Sequence, residues 1–159
     1  MSQQSLARWL KCITLIIAAA LVLFFFLLVP QIGFNLSKLH PESAHYYPPL
    51  VVAIWLAALP CAAALLYFWR ICRNIGRDRS FCTENVLALR NISRLAIADT
   101  VWCIAVTTVF ALLNVFHFSF VIAGAFLVLV GAVIALVAAA LAHLTDKAAH
   151  LKEENDLTI

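Results

Sequence analysis

Long apolar runs alternate with short polar segments along this chain, and the pattern predicts membrane-spanning helices. Four runs are each long enough for a helix that crosses the hydrocarbon layer, which takes about 20 residues. They cover residues 12–29, 50–69, 95–116 and 118–144. The runs are solidly apolar and lack the alternation typical of outer-membrane barrel strands. We therefore predict an all-α integral membrane protein, a compact four-helix bundle formed by residues 1–159 as one domain.

The segments between the runs predict how the helices are connected. The last two runs are separated only by a short turn at residues 114–117, so they are expected to form a tight antiparallel hairpin. The first two are separated by residues 30–49, which are too polar and too rich in proline to span, so the first helix is expected to end at Pro30.

Small residues recur at helical spacing in the second, third and fourth runs. Helices associate in lipid through close packing of such residues, so these stripes are expected to form the seam of the bundle or a contact between copies of the chain. The stripes are Ala53, Ala57, Cys61 and Ala64, then Ala96, Thr100, Cys103, Thr107 and Ala111, then Gly124, Gly131, Ala135, Ala138 and Ala142.

Composition strengthens the prediction of a membrane protein and excludes other classes. Of the 159 residues, 65% are hydrophobic and 12% are charged, whereas a soluble domain is about half apolar and a quarter charged. These fractions exclude a soluble enzyme, a disordered tail and a nucleic-acid-binding domain. The expected partner of most of the surface is therefore the lipid bilayer, with no direct contact to nucleic acid.

The positions of the basic residues predict the orientation. Ten of the eleven Lys and Arg residues lie in the N-terminal segment, the segment between the second and third runs, and the C-terminal tail, and Lys38 is the exception. Because basic residues accumulate in cytoplasmic segments, both termini and the middle segment are predicted to be cytoplasmic. The protein is then a multi-pass protein of the inner (plasma) membrane.

The middle segment is predicted to contain an amphipathic helix over residues 83–95. Gly76 is expected to end the preceding helix, and Thr83 is expected to be the N-cap of the next, with Glu84 in its first turn. The amphipathic helix either lies at the membrane surface or leads directly into the third span. Its polar face either anchors to anionic lipid or docks a cytoplasmic partner, and its residues are Arg90, Asn91 and Arg94.

The C-terminal tail, residues 145–159, is expected to continue the fourth helix for two or three turns and then fray. Its end is either solvated and disordered or a linear peptide that a protein partner binds. The residues that would bind such a partner are Glu153, Glu154, Asn155, Asp156 and Leu157.

Asp99 is the only acidic residue within an apolar run, near the start of the third one. An ionisable group within the membrane is costly and is by default a candidate for function. In the favoured interpretation Asp99 lies at headgroup level and pairs with Arg94 or another arginine of the middle segment. The alternative is a small oligomeric transporter or channel subunit that uses Asp99, with a kink at Pro60.

No other pattern indicates catalysis or cofactor binding. The five cysteines include no Cys-x-x-Cys pair, and the five histidines match no zinc spacing. With four glycines in the chain there is no Gly-rich phosphate loop. We therefore predict a non-enzymatic protein with no catalytic, cofactor-binding or metal-binding residues.

Several short motifs resemble a known family. They are Arg79-Ser80-Phe81, Thr83-Glu84-Asn85, Leu89-Arg90-Asn91-Ile92 and the ending Leu151-Lys152-Glu153-Glu154-Asn155-Asp156-Leu157-Thr158-Ile159. Together with four spans they resemble the bacterial membrane proteins of domain of unknown function 2975, although Arg77-Asp78-Arg79-Ser80-Phe81 replaces the more typical Gly-x-Pro-Phe stretch. The family has no established activity. Its members are often encoded beside a small Cro-type helix-turn-helix regulator, so the resemblance implies signalling in which the cytoplasmic face binds such a regulator.

Overall fold

The computed structural model describes residues 3–39, 41–77, 79–113 and 118–156, and these are helical almost throughout. Helix α1 (Gln3–Leu23) continues through a π-helical turn (Phe24–Leu28) into α2 (Val29–Leu39). A 3-10 helix (Pro41–Tyr46) leads into α3 (Tyr47–Ile75), which is followed by α4 (Thr83–Leu112) and α5 (Phe118–Asp156). The described ranges contain no strand, so the all-α prediction is confirmed.

Four helical stretches are long and apolar enough to cross a membrane, as predicted. They are Ser5–Leu39, Pro41–Ile75, Thr83–Leu112 and Phe120–Leu151. Each extends beyond at least one end of the corresponding predicted run, and the predicted turn at residues 114–117 lies outside the described residues. The length and apolar character of these helices indicate a multi-pass membrane protein.

The first helical stretch does not end at Pro30, so that prediction is wrong. Proline lacks the N–H that a helix interior needs, and the π-helical turn lies immediately before it. Val29 N–H donates to Phe24 O, which leaves the Phe25 carbonyl without that donor. Trp55 Nε1 of α3 donates to Phe25 O at 2.9 Å. A hydrogen bond from a neighbouring helix therefore replaces the missing backbone bond.

The four long helices form an open row in the order of the sequence. Helix α1 packs on α3, α3 on α4 and α4 on α5. Among the described residues, no Cα atom of α1 lies within 8 Å of α4 or α5, and none of α3 lies within 8 Å of α5. The prediction of a compact bundle is therefore wrong, because the first and last helices of the row do not contact each other over their described residues. An apolar helix face is about as stable against lipid chains as against another helix. Burial of apolar surface therefore does not drive α1 and α5 together.

Helices α4 and α5 meet along their small-residue stripes, as predicted. A Cβ atom added at Gly124 would overlap the Thr107 side chain, and one added at Gly131 would overlap the Thr100 hydroxyl. Near the C-terminal half of α5 the stripe is buried at Ala135, Ala138 and Ala142. Glycine therefore permits the close approach of the two helices at two levels of the seam.

Most of the basic residues meet at one end of the row. There the first turns of α1 and α4 lie beside the last turns of α3 and α5. Lys11 Nζ lies 5.9 Å from the centre of the Trp69 ring, and Arg90 Nη2 lies 2.9 Å from Asp146 Oδ2. A Cβ atom at Gly76 would lie 3.2 Å from Ala7 Cβ. We call this part of the molecule the basic end.

Candidate functional site

The connection between α3 and α4 belongs to the basic end. Helix α3 ends at Ile75 with Gly76 as its C-cap residue, as predicted. Thr83 is not the N-cap, because α4 begins at Thr83 and the N-cap position is occupied by Cys82 with extended backbone. Cys82 makes no side-chain capping bond. The start of α4 is held instead by buried amide side chains.

The buried side chains of two asparagines stabilise this connection by hydrogen bonds. Asn85 is 2% exposed, and its Oδ1 accepts a hydrogen bond from Asn74 Nδ2 at 2.8 Å. Asn85 Nδ2 donates to Ser80 O at 2.9 Å and to Arg79 O at 3.3 Å. The end of α3, the loop and the start of α4 are thus joined through one side chain. No role for either asparagine could be predicted from the sequence, and the only signal was the place of Asn85 in the Thr83-Glu84-Asn85 motif.

An open groove between α4 and α5 lies at the basic end. Its volume is about 290 Å³, and it is lined by Arg90, Ser93, Arg94, Ala139, Ala142 and His143. Beside the groove, the Ser93 hydroxyl of α4 donates to Ala135 O of α5 at 2.8 Å, and this hydrogen bond joins the two helices. Of the predicted partner-binding residues, Arg90 and Arg94 line this α4–α5 groove, whereas Asn91 is half-buried and is not among its lining residues.

The C-terminal tail extends α5 as expected. The helix continues beyond the apolar run to Asp156, so residues 145–156 add about three turns. Glu153, Glu154, Asn155 and Asp156 lie on this extension, and Leu157 lies outside the described residues. Asp146 at the base of the extension is paired with Arg90. Glu153 follows Asp146 by about 10 Å along the axis, so the acidic positions continue beyond that ion pair.

Asp99 does not pair with an arginine in the described structure, so that prediction is wrong, whereas its position at headgroup level stays a prediction. Cys61 Sγ of α3 donates to Asp99 Oδ2 at 3.6 Å. Asp99 Oδ1 is buried and has no hydrogen-bond partner in the described structure. Arg94 precedes Asp99 by five residues, which rotates it about 140° around the helix. Arg94 consequently lines the groove beside α5 while Asp99 contacts α3.

Other candidate groups remain dispersed. Within the part of the chain that the structure describes, no group of three or more His, Cys, Asp and Glu side chains is placed to hold a metal ion. All five cysteines are free thiols. Among them Cys72 is buried, with its Sγ 4.0 Å from the Thr14 hydroxyl of α1, which is consistent with a packing role.

Comparison with known families and proteins relates the chain to one family. A family model described as Protein of unknown function (DUF2975) matches residues 31–159. The chain belongs to the DUF2975 family. The resemblance derived from the sequence motifs is therefore confirmed, and the DUF2975 match includes the asparagine pair, the groove, Asp99 and the α5 extension. No curated protein and no solved structure matches the chain. Because DUF2975 is defined without a function, membership assigns no role to any of these residues.

Proposed function

We propose that this DUF2975 protein is a non-enzymatic inner-membrane protein that binds a cytoplasmic regulator through the extension of α5. The supporting observation is that α5 continues as a polar helix over residues 145–156. The backbone positions of its polar residues therefore lie at set distances from the apolar run of α5. The excess of Lys and Arg at this end favours a cytoplasmic orientation of the basic end and of both termini.

The charge of the extension favours a basic partner. Three of the four residues at positions 153–156 are acidic, namely Glu153, Glu154 and Asp156. A small helix-turn-helix protein contacts DNA phosphates through a basic surface. The acidic positions complement that surface and would compete with DNA for it. Binding would thus hold such a regulator at the membrane and away from its operator, which is a signalling role without enzymatic chemistry.

Neutralising the acidic positions is expected to weaken capture of a regulator. The variant combines Glu153→Gln, Glu154→Gln and Asp156→Asn, and the probe is a purified small helix-turn-helix protein of the Cro type. Its cosedimentation with proteoliposomes should weaken at least about tenfold, because up to three charge pairs with the basic partner are lost, each worth up to about 1 kcal/mol. A matched control, Lys147→Gln with Lys152→Gln, should retain capture. Equal capture by the acidic-site variant and the parent protein would refute the proposal.

Asp99 supports a second candidate function, a small oligomeric transporter or channel subunit. Its carboxyl lies about one turn inside the apolar run of α4 beside a thiol, and one of its oxygens has no partner in the described structure. A structural ion pair, which would explain an embedded carboxyl, is not found there. Carboxyls at such positions are typical of ion and proton pathways.

Replacing Asp99 with asparagine tests this second candidate. If Asp99 is part of a pathway, Asp99→Asn should reduce proton or Na⁺ flux through proteoliposomes at least about tenfold while the unfolding temperature changes little, since the amide keeps the shape of the carboxyl. Asp146→Asn, which alters a surface carboxylate paired with Arg90, should leave the flux unchanged. Absence of flux from the parent protein, or equal flux from Asp99→Asn, would exclude the pathway.

A further inference from the structure

We propose that the α4–α5 groove binds the phosphate headgroup of an anionic phospholipid. This inference goes beyond the proposed regulator binding, which uses the extension of α5. It concerns the lipid side of the same end of the molecule and rests on the position, charge and apolar surroundings of the groove.

The groove lies at the level where the apolar runs end. On α4 the apolar run begins at Leu95, directly after Arg94, and on α5 it ends at Leu144, directly after His143. Residues at such a border lie at the height of the lipid headgroups when the two helices span a bilayer. The position of the groove therefore favours a lipid headgroup as its ligand.

The groove offers cationic hydrogen-bond donors that are not used up within the protein. Arg94 is exposed and makes no ion pair or side-chain hydrogen bond in the described part of the chain. Arg90 is positioned by its bond to Asp146, and a guanidinium has five N–H donors, so several remain. His143 adds an imidazole from the facing helix. Arginine forks match phosphate oxygens in geometry as well as in charge.

Small residues leave the groove open between these donors. Ala139 and Ala142 form its α5 side together with His143. Their short side chains do not reach across to the arginines of α4, so the space of about 290 Å³ stays open to a headgroup. The groove therefore combines the positive charge of the two arginines with enough space for a phosphate headgroup.

Apolar side chains continue from the groove toward the middle of the spans. Ile97 and Val101 follow Arg94 on the same side of α4 and are 53% and 59% exposed. Leu136 precedes His143 by two turns on α5 and is 72% exposed. Residues at these spacings share a helix face. A lipid whose phosphate occupied the groove would lay its acyl chains along these residues, which favours a phospholipid over free phosphate.

The test is selective retention of lipid by the full-length protein. The protein is equilibrated in mixed micelles with equal amounts of phosphatidylglycerol and phosphatidylcholine, and the retained lipid is counted by native mass spectrometry. We expect preferential retention of phosphatidylglycerol, with a loss of about fivefold in Arg94→Gln because one arginine near an anionic surface is removed. His143→Gln should also reduce retention. Arg73→Gln, an exposed arginine on α3 at the same end, should leave it unchanged.

Three results would overturn the inference. Equal loss in Arg73→Gln would mean that diffuse charge at the basic end attracts the lipid. Unchanged retention in Arg94→Gln would mean that the groove does not contribute. Displacement of the lipid by millimolar inorganic phosphate would identify a site for the free ion. The lipid assay uses no regulator, and the regulator assay varies only the acidic positions of the α5 extension, so failure of this inference and failure of the proposed function are distinguished.

Discussion

Replacing Asn85 with alanine is expected to lower the free energy of unfolding by about 3 kcal/mol. The substitution removes the acceptor of Asn74 Nδ2 and the donor to Ser80 O and Arg79 O. Each lost bond contributes about 1 kcal/mol, and a buried group left without its partner adds to the cost. The connection between α3 and α4 should loosen first, because these bonds are its internal fastening.

Titration with a denaturing detergent, followed by circular dichroism, measures this change. Asn91→Ala is the matched control, since Asn91 lies on the same helix, is half-buried and makes no side-chain hydrogen bond in the described structure. It should change the free energy of unfolding by less than about 0.5 kcal/mol. Thiol labelling of half-buried Cys82 should accelerate in Asn85→Ala alone. Equal stability of the two variants would show that the buried amide does not fasten the connection.

Gly131→Ala is expected to destabilise the contact between α4 and α5 by about 2 kcal/mol. The added Cβ would overlap the Thr100 hydroxyl, which is itself held by a hydrogen bond to Ala96 O at 2.7 Å. Either the hydroxyl must leave that position or the helices must separate. Because both groups lie in a packed seam, neither adjustment is free of cost.

A double-mutant cycle separates this overlap from other effects of Gly131→Ala. Adding Thr100→Ala removes the hydroxyl and leaves the new Cβ 3.5 Å from the remaining Cβ of residue 100, which is ordinary contact. Thr100→Ala should therefore recover most of the stability lost in Gly131→Ala, as measured by the same detergent titration. Losses that simply add in the double variant would mean that the two residues do not meet.

The spans could be predicted from the sequence because a helix in hydrocarbon must be apolar over about 20 residues whatever surrounds it. The path through Pro30 could not, because the compensating donor Trp55 lies 30 residues from Phe25 on another helix. The small-residue stripes likewise predicted that α4 and α5 would pack closely. The stripes do not indicate whether α1 contacts α5, because an apolar helix face is about equally stable against lipid and against protein.

In the candidate sites too, features set by spacing along one helix could be predicted, and contacts between helices could not. The polar face of α4 could be identified by spacing alone, and Arg90 and Arg94 do line one groove. The partner of Asp99 depended on which side of α4 contacts α3, and the sequence does not specify that. Asn85 could be noticed as part of a motif, but its burial depends on Asn74 at the end of the preceding helix. The face of a helix on which a residue lies was therefore predictable, and the pairing of side chains between helices was not.

The hydrogen bond from Trp55 to the Phe25 carbonyl bears on how the chain enters the membrane. A chain inserted from its N-terminus brings in α1 and α2 before α3, so that carbonyl first lies in an apolar run without its donor. An unpaired carbonyl in such surroundings costs about 1–3 kcal/mol. The first helix is therefore incomplete by itself and gains stability once α3 arrives beside it. Pairing of these two helices would then precede the addition of α4 and α5, so the order of synthesis matches the order of the row.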